Sequence, residues 1–346
     1  MRPSERNLRA SILLIFTAPF VAEYLLGDIG IKAIATIIVM APMYGGGALL
    51  IREIARRLKL GWPRMLVLGA AYALVEEGFT TMSLFNRDYL KMHMHLLDHA
   101  WIAPLGISAW WTLFMLNLHT FWSMAVSIAL VEGLFPAQRE TPWLGKLGDS
   151  VVAALFAIGC VLSTAITLHM DPYVASHTQL DVTAALIVLL VALAILLPFF
   201  PQRGFTGSVP PPWLTGAVAL ALGLGVLLIP PVWNWGAFAA MCALDAVFLV
   251  GLSLLHRRSG WTAVHTLSIA AGGAFAYGIH AFWQTPVLGA RPVVLLRGGQ
   301  AAFLLLAALM VLAGARRTAR WLRTRGFAVA NQRPGDARPD LSELPG

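Results

Sequence analysis

The 346-residue chain is 58% hydrophobic and only 12% charged, with a mean hydropathy of +0.72. About a quarter of the residues in a soluble domain are charged, so an ordinary soluble fold is excluded, and with it a nucleic-acid-binding module, which needs a soluble basic domain. The net charge of +8 reads instead as a basic rim facing anionic lipid headgroups.

Apolar runs of about twenty residues, each able to cross a bilayer as a helix, recur near 9–27, 31–52, 64–84, 108–133, 148–170, 180–200, 212–230, 236–256, 262–284 and 297–315. Alternating-polarity strands of the outer-membrane barrel type are absent from this pattern. The expected fold class is an all-α polytopic transmembrane bundle of about ten spans in the cell membrane. It forms a single domain over 1–325, with a motif-bearing first part at 9–133 and a second part at 148–315. A polar, proline-rich tail at 326–346 is expected to be disordered and cytoplasmic. With the N-terminus inside, twenty of the 25 Lys and Arg residues fall on the inner side. That is a strong positive-inside asymmetry. An odd number of spans spoils it, so both ends are expected to be cytoplasmic.

In chain order, the first span carries Glu23 and reads as an uncleaved anchor. The second holds Pro42 and the triplet Gly45, Gly46 and Gly47. Such a break either borders a cavity or allows a close helix–helix approach. Arg52 and Glu53 follow and form an interfacial ion cluster with Arg56 and Arg57. The third span contains Tyr72, Glu76 and Glu77. The longest outer loop, Asn86 to Ile107, includes Met92, His93, Met94, His95, Asp98 and His99. That segment is either a soft-metal site for copper or zinc or a polar interfacial stretch. The fourth span supplies Asn117 and His119, the fifth His169, the eighth Asp245 and the ninth His280. Cys160 and Cys242 lie within spans without metal or redox spacing. The segment 201–213 reads as a linker. A faint internal echo is also present. IREIARRLKLGWPRMLVLGAAY and LLHRRSGWTAVHTLSIAAGGAFAY each set a basic turn and Gly-Trp before a span containing Tyr.

Glu76 and Glu77 carry the strongest signal. A carboxylate at membrane depth costs roughly 3 kcal/mol on insertion scales, so two in succession point to chemistry or to hydrogen-bonded interhelical contacts. Glu23 and the pair are expected in the outer halves of their spans, His119 and Asp245 nearer the middle, and His169 and His280 toward outer ends. Together they suggest a cavity open to the exterior. Consecutive helical residues point about 100° apart, so only one of the two glutamates is expected to face the site squarely. Tyr72, one turn before Glu76, is positioned to donate a hydrogen bond to it. Asp245 is either a proton or cation carrier or a side chain bonded to a neighbouring helix.

A Glu-Glu pair in one membrane helix, followed by single histidines in later helices, resembles the CPBP family, the CAAX-protease and bacteriocin-processing type of intramembrane protease. The family signature is EExxxR, then FxxxH, then HxxxN or HxxxD on separate helices. Here EEGFTT supplies Glu76 and Glu77, with Thr81 at the arginine position, and MLNLH supplies His119, with Met115 at the aromatic position. HAFWQ, from His280 to Gln284, or HMDPY, from His169 to Tyr173, stands at the third motif. The resemblance covers mainly the third and fourth spans. It implies a Glu-dependent hydrolase acting on a membrane peptide, with one glutamate as general base and the other, with His119, positioning water or stabilising the oxyanion. A divalent metal, if used, would take His119 and a further ligand, His280 first and His169 second. The stretch from PMYGGGALLIRE through GWPRMLVLGAAYALVEEGF is also similar to uncharacterised bacterial membrane proteins. Alternatives are a multi-pass transporter or channel using the intramembrane carboxylates, and a non-catalytic scaffold or immunity-type membrane protein.

Overall fold

A computed structural model describes residues 7–196, 208–289 and 292–331. Part of the expected linker (201–207) and residues 332–346 of the expected tail (326–346) lie outside the described residues, while 326–331 continue the last helix.

Among the described residues, ten helical rods follow one another. They are α1 (Leu8–Leu25), α2 (Ile31–Arg57), α3 (62–80), α4 (Ala109–Leu134), α5 (Lys146–Met170), α6 (His177–Leu196), α7 (Pro212–Leu228), α8 (Trp235–Leu255), α9 (Ala263–His280) and α10 (Val293–Asn331). A two-residue ladder, β1 (Trp101–Ile102) against antiparallel β2 (Ile107–Ser108), folds the long loop before α4. The chain is therefore an all-α polytopic membrane protein. Seven of the rods, α1, α2, α4, α5, α6, α8 and α10, are long and apolar enough to cross a membrane, and α7 is a shorter apolar helix.

Local chemistry sets the helix starts. Asn7 caps α1, its Oδ1 accepting from the N–H of Ala10 at 3.1 Å, and Ser108 caps α4 by accepting from Trp111 N–H at 3.0 Å. Such side-chain oxygens satisfy backbone donors that a helix leaves unpaired at its N-terminus. Within the rods the α-geometry breaks four times into π-helical turns, at Phe20–Leu25, Ala41–Gly45, Val75–Thr80 and Leu118–Val126. Proline accounts for two of these. Pro19 directly precedes the first and Pro42 lies inside the second, and a ring nitrogen without N–H removes one rung of the α-helical ladder. In the other two, hydroxyls bond the displaced carbonyls. Thr80 Oγ1 donates to Glu76 O at 2.6 Å and Ser123 Oγ to Leu118 O at 3.4 Å.

The central rod is α4. In its most apolar window 78% of residues are buried, against 6% in α8, so α8 presents most of its surface outward. Around α4, α1, α3, α9 and α10 pack closely, and α7 lies along α9. One apolar cluster gathers Phe20, Tyr24, Trp110, Trp122, Tyr277 and Phe303; a second gathers Leu14, Tyr44, Leu49, Leu68, Met124 and Trp143. Trp122 stacks on Tyr277 with ring centroids 4.7 Å apart, and its indole donates to Gly273 O.

The glycine triplet resolves as close packing. A Cβ at Gly45 would lie 2.1 Å from the carbonyl oxygen of Ile15 in α1, and one at Gly47 would lie 2.4 Å from the Tyr72 ring in α3. Gly46 faces Phe156 of α5. Three helices thus approach α2 within one turn, and the cavity reading of this break is set aside.

The ion cluster at the end of α2 is a buried network. Arg52 is fully buried. It donates to Glu53 Oε1 at 2.6 Å, to Glu132 Oε1 at 3.1 Å and to the carbonyls of Gln138, Arg139 and Thr141. Its guanidinium lies 3.3 Å over the Trp143 ring. Glu132 also receives a bidentate pair from Arg56 at 2.8 and 2.6 Å, and Glu53 accepts the N–H groups of Trp143 and Leu144. Desolvated charges require this degree of pairing. Glu132, absent from the sequence-derived set of polar span residues, is central to the network.

Candidate functional site

Each of the four π turns carries a polar side chain into one region. Phe20–Leu25 supplies Glu23, Ala41–Gly45 supplies Tyr44, Val75–Thr80 supplies Glu76 and Glu77, and Leu118–Val126 supplies His119. Single π turns in α-helices recur at functional sites. Glu76, Glu77 and His119 are 2%, 7% and 6% exposed, so all three are shielded from bulk solvent.

The two glutamates bracket the imidazole. Glu77 Oε1 lies 2.7 Å from His119 Nε2, and Glu76 Oε2 lies 3.0 Å from His119 Nδ1. The expectation that only one glutamate faces the site is therefore corrected. A π turn is wider than an α turn and separates consecutive side chains by less, so both reach one ring.

Their surroundings differ. Glu77 Oε2 accepts from Ser83 Oγ and from Thr81 Oγ1, the latter at 3.0 Å. Ser83 is in turn held by Trp111 Nε1 at 3.3 Å. Thr81, at the position of the family's motif arginine, thus gives Glu77 a neutral donor instead of a cation. Glu76 Oε2 is buried and, despite its approach to His119, makes no hydrogen bond of normal geometry. Tyr72 OH, expected to donate to Glu76, is likewise buried without such a bond, although it lies beside that carboxylate. Tyr44 OH donates to Glu23, and Glu23 is close enough to interact electrostatically with Glu76 and His119. The Tyr44 and Tyr72 rings each lie 6.1 Å from the His119 ring.

One donor atom from each of Glu76, Glu77 and His119 lies within 4.8 Å of the other two. Carboxylate oxygens and an imidazole nitrogen at this spacing suit a divalent cation. His169 and His280 do not join this group: His169 is exposed on α5, and His280 is half-buried at the end of α9 with Nδ1 unpartnered. Helical phase alone does not tell which rods are neighbours, and it places neither histidine beside the glutamates. The loop histidines also stay apart. His93 pairs with Asp88 at 3.0 Å, His95 with Asp98 at 2.9 Å, and the His99 ring meets Trp110 edge-on.

Asp245 is bonded to Asn117, Nδ2 to Oδ2 at 3.0 Å. The pair lies on the wall of an apolar cavity lined by none of Glu23, Glu76, Glu77 or His119. Asn117 and His119, two residues apart on α4, therefore serve different sides of that rod. From the loop, half-buried Tyr89 lies beside Thr167 and within electrostatic reach of Glu77, Glu23 and Glu76. Burial, then the nearby carboxylates, push its phenol well above the ordinary range, so it remains a neutral donor. Tyr44, Thr81, Ser83 and Tyr89 were missing from the sequence-derived set. The hydroxyl-rich run TTMS, which begins three residues after Glu77, was the readable signal for two of them.

Fold and site together define a polytopic helical membrane protein with a buried Glu-Glu-His group between two central rods. The chain belongs to an uncharacterized membrane protein family, whose model matches residues 12–332. No curated protein and no solved structure matches it.

Proposed function

We propose that the chain is a Glu-dependent intramembrane hydrolase, a divergent relative of the CPBP type, acting on a membrane peptide. The observation that carries this reading is the convergence of Glu76, Glu77 and His119 within hydrogen-bonding distance from two rods. In this scheme Glu76, whose Oε2 meets His119 Nδ1 without a hydrogen bond of normal geometry, is the general base. It takes a proton from a water that adds to the scissile carbonyl carbon, and it returns that proton to the departing amine as the C–N bond breaks. His119 Nδ1, which leaves Glu76 when the water takes that carboxylate, stabilises the oxyanion, and Glu77, fixed by Thr81 and Ser83, orients the imidazole through Nε2. A divalent ion held by Glu76, Glu77 and His119 would supply Lewis acidity at the same place.

The test is cleavage of a reconstituted membrane peptide, followed by mass spectrometry. Glu76→Gln is expected to slow cleavage by about 10²-fold or more while leaving the protein folded. Wild-type cleavage by that variant sinks the proposal. Metal content measured on purified wild type and on Glu76→Gln separates an ion-dependent site from a carboxylate-only one.

We also propose ten crossings with both ends cytoplasmic. The ten rods and the basic segments at alternate ends support this arrangement. Reporter fusions at the two termini should both read cytoplasmic, and opposite readings would require an odd count.

A further inference from the structure

Two cavities lie end to end beside α4. The first, about 460 Å³, has mainly apolar walls that include Leu113, Phe121, Trp122 and Phe248. The second, about 500 Å³, is more polar than the first and is lined by Arg56, Lys59 and Arg139 with Glu132 and Glu140. They share Trp62, Ala129, His256, Trp261 and Thr266. An apolar slot that opens into a basic vestibule matches an amphiphile with an anionic head. Volumes in this range are those of small-molecule sites.

The junction has a sequence signature. Trp62 and Trp261 are the tryptophans of the two Gly-Trp turns, Gly61-Trp62 and Gly260-Trp261, that make up the internal echo. The echo therefore brings its two copies to one place, where each contributes an indole to the boundary between slot and vestibule. Indoles concentrate at the headgroup level of a bilayer, so slot and vestibule sit where a lipid's tail and head would. The charges also favour an anion. Glu132 is already engaged by Arg52 and Arg56. Glu140 is held by Arg139 at 2.6 Å, which leaves that guanidinium a buried Nε without a partner, and exposed Lys59 has no ion-pair partner among the described residues.

We propose that this paired cavity binds one anionic phospholipid, with its phosphate against Lys59 and Arg139 and one acyl chain in the slot along Phe121 and Phe248. The site is separate from the Glu–His group and does not depend on the hydrolase reading.

The experiment is native mass spectrometry of the delipidated full chain, titrated with dioleoyl phosphatidylglycerol or dioleoyl phosphatidylcholine. Wild type is expected to retain one phosphatidylglycerol at several-fold lower concentration than phosphatidylcholine. Lys59→Gln and Arg139→Gln should each cut that preference about fivefold. Ala125→Phe, which fills the slot, should weaken both lipids, and inorganic phosphate should not compete. Equal retention of the two lipids by wild type overturns the proposal. So does an undiminished preference in both charge variants, or full competition by phosphate, which would mark a free-anion site. Lys59 is exposed, so its variant reports on binding even if Ala125→Phe fails to fold.

Discussion

At Glu77, two hydroxyls and an imidazole converge on a single carboxylate, while the neighbouring Glu76 keeps a buried oxygen without a hydrogen bond. Removing a paired buried charge strands its partners. Glu77→Ala should therefore destabilise the protein by about 3–5 kcal/mol, and Glu76→Gln by less than about 1 kcal/mol. Thermal unfolding in detergent distinguishes them, and equal losses would refute the division of roles. Asp28, in the turn between α1 and α2, offers a pH test. Its carboxyl accepts from Gln284 Nε2 at 2.6 Å, but burial outweighs that bond and pushes its pKa up to about 6 from 3.8. The folded state thus binds the proton more tightly than the unfolded chain does. The resulting stability is complete below about pH 3.8 and is lost as pH rises through about 6. The melting temperature should fall across that window, and Asp28→Asn should flatten the fall. The glutamate pair and His119 were legible as residues because charge in an apolar run is costly. Their partners were not, since a serine or threonine near a span end looks the same whether it bonds a carboxylate or its own backbone.

The recurring element is the π turn, and it is what lets adjacent glutamates act on one ring. Its geometry leaves little trace in sequence. Proline marks the turns of α1 and α2, whereas those of α3 and α4 have none, so a uniform 100° rotation places Glu76 and Glu77 wrongly. Helix contacts were partly legible: the glycine triplet announced a close approach, but not to which rods. Both Gly45→Ala and Gly47→Ala should cost about 1–3 kcal/mol through overpacking, with Gly45→Ala the worse. Its new methyl meets the Ile15 backbone, whereas that at 47 meets the Tyr72 side chain, which can move. Chemical denaturation should rank them in that order. The reverse ranking would mean that Tyr72 is the more rigid neighbour.

Across the molecule, the apolar runs foretold an all-α polytopic bundle, and seven rods among the described residues have the length and apolarity that a bilayer requires. Which rod occupies the centre was only partly legible: α4 is the less apolar sequence and the outward-facing α8 the more apolar, but composition alone does not say which rods surround α4. Glu132 escaped notice because it lies at the end of a span beside a basic segment, where a charge reads as a boundary. Its loss should nonetheless be among the most damaging. Glu132→Gln leaves Arg52 and Arg56 without their shared carboxylate, a deficit of about 3–5 kcal/mol. The expected readout is a lower melting temperature and reduced yield of membrane-inserted protein. A wild-type melting curve would show that the carbonyls around Arg52 suffice.

The Arg52 network also imposes an order on biosynthesis. Its acceptors at Gln138, Arg139 and Thr141, together with Glu132, lie 80 to 89 residues downstream, and Asn7 is tied to the same loop through Gln138 and the carbonyl of Trp143. While the ribosome is still making α3 and α4, this guanidinium has Glu53 but not its remaining partners. The end of α2 must wait at the headgroup surface or within the insertion machinery until the segment after α4 emerges. A nascent chain released at residue 134 should be cleared by proteolysis, and one released at 150, which carries the complete loop, should persist.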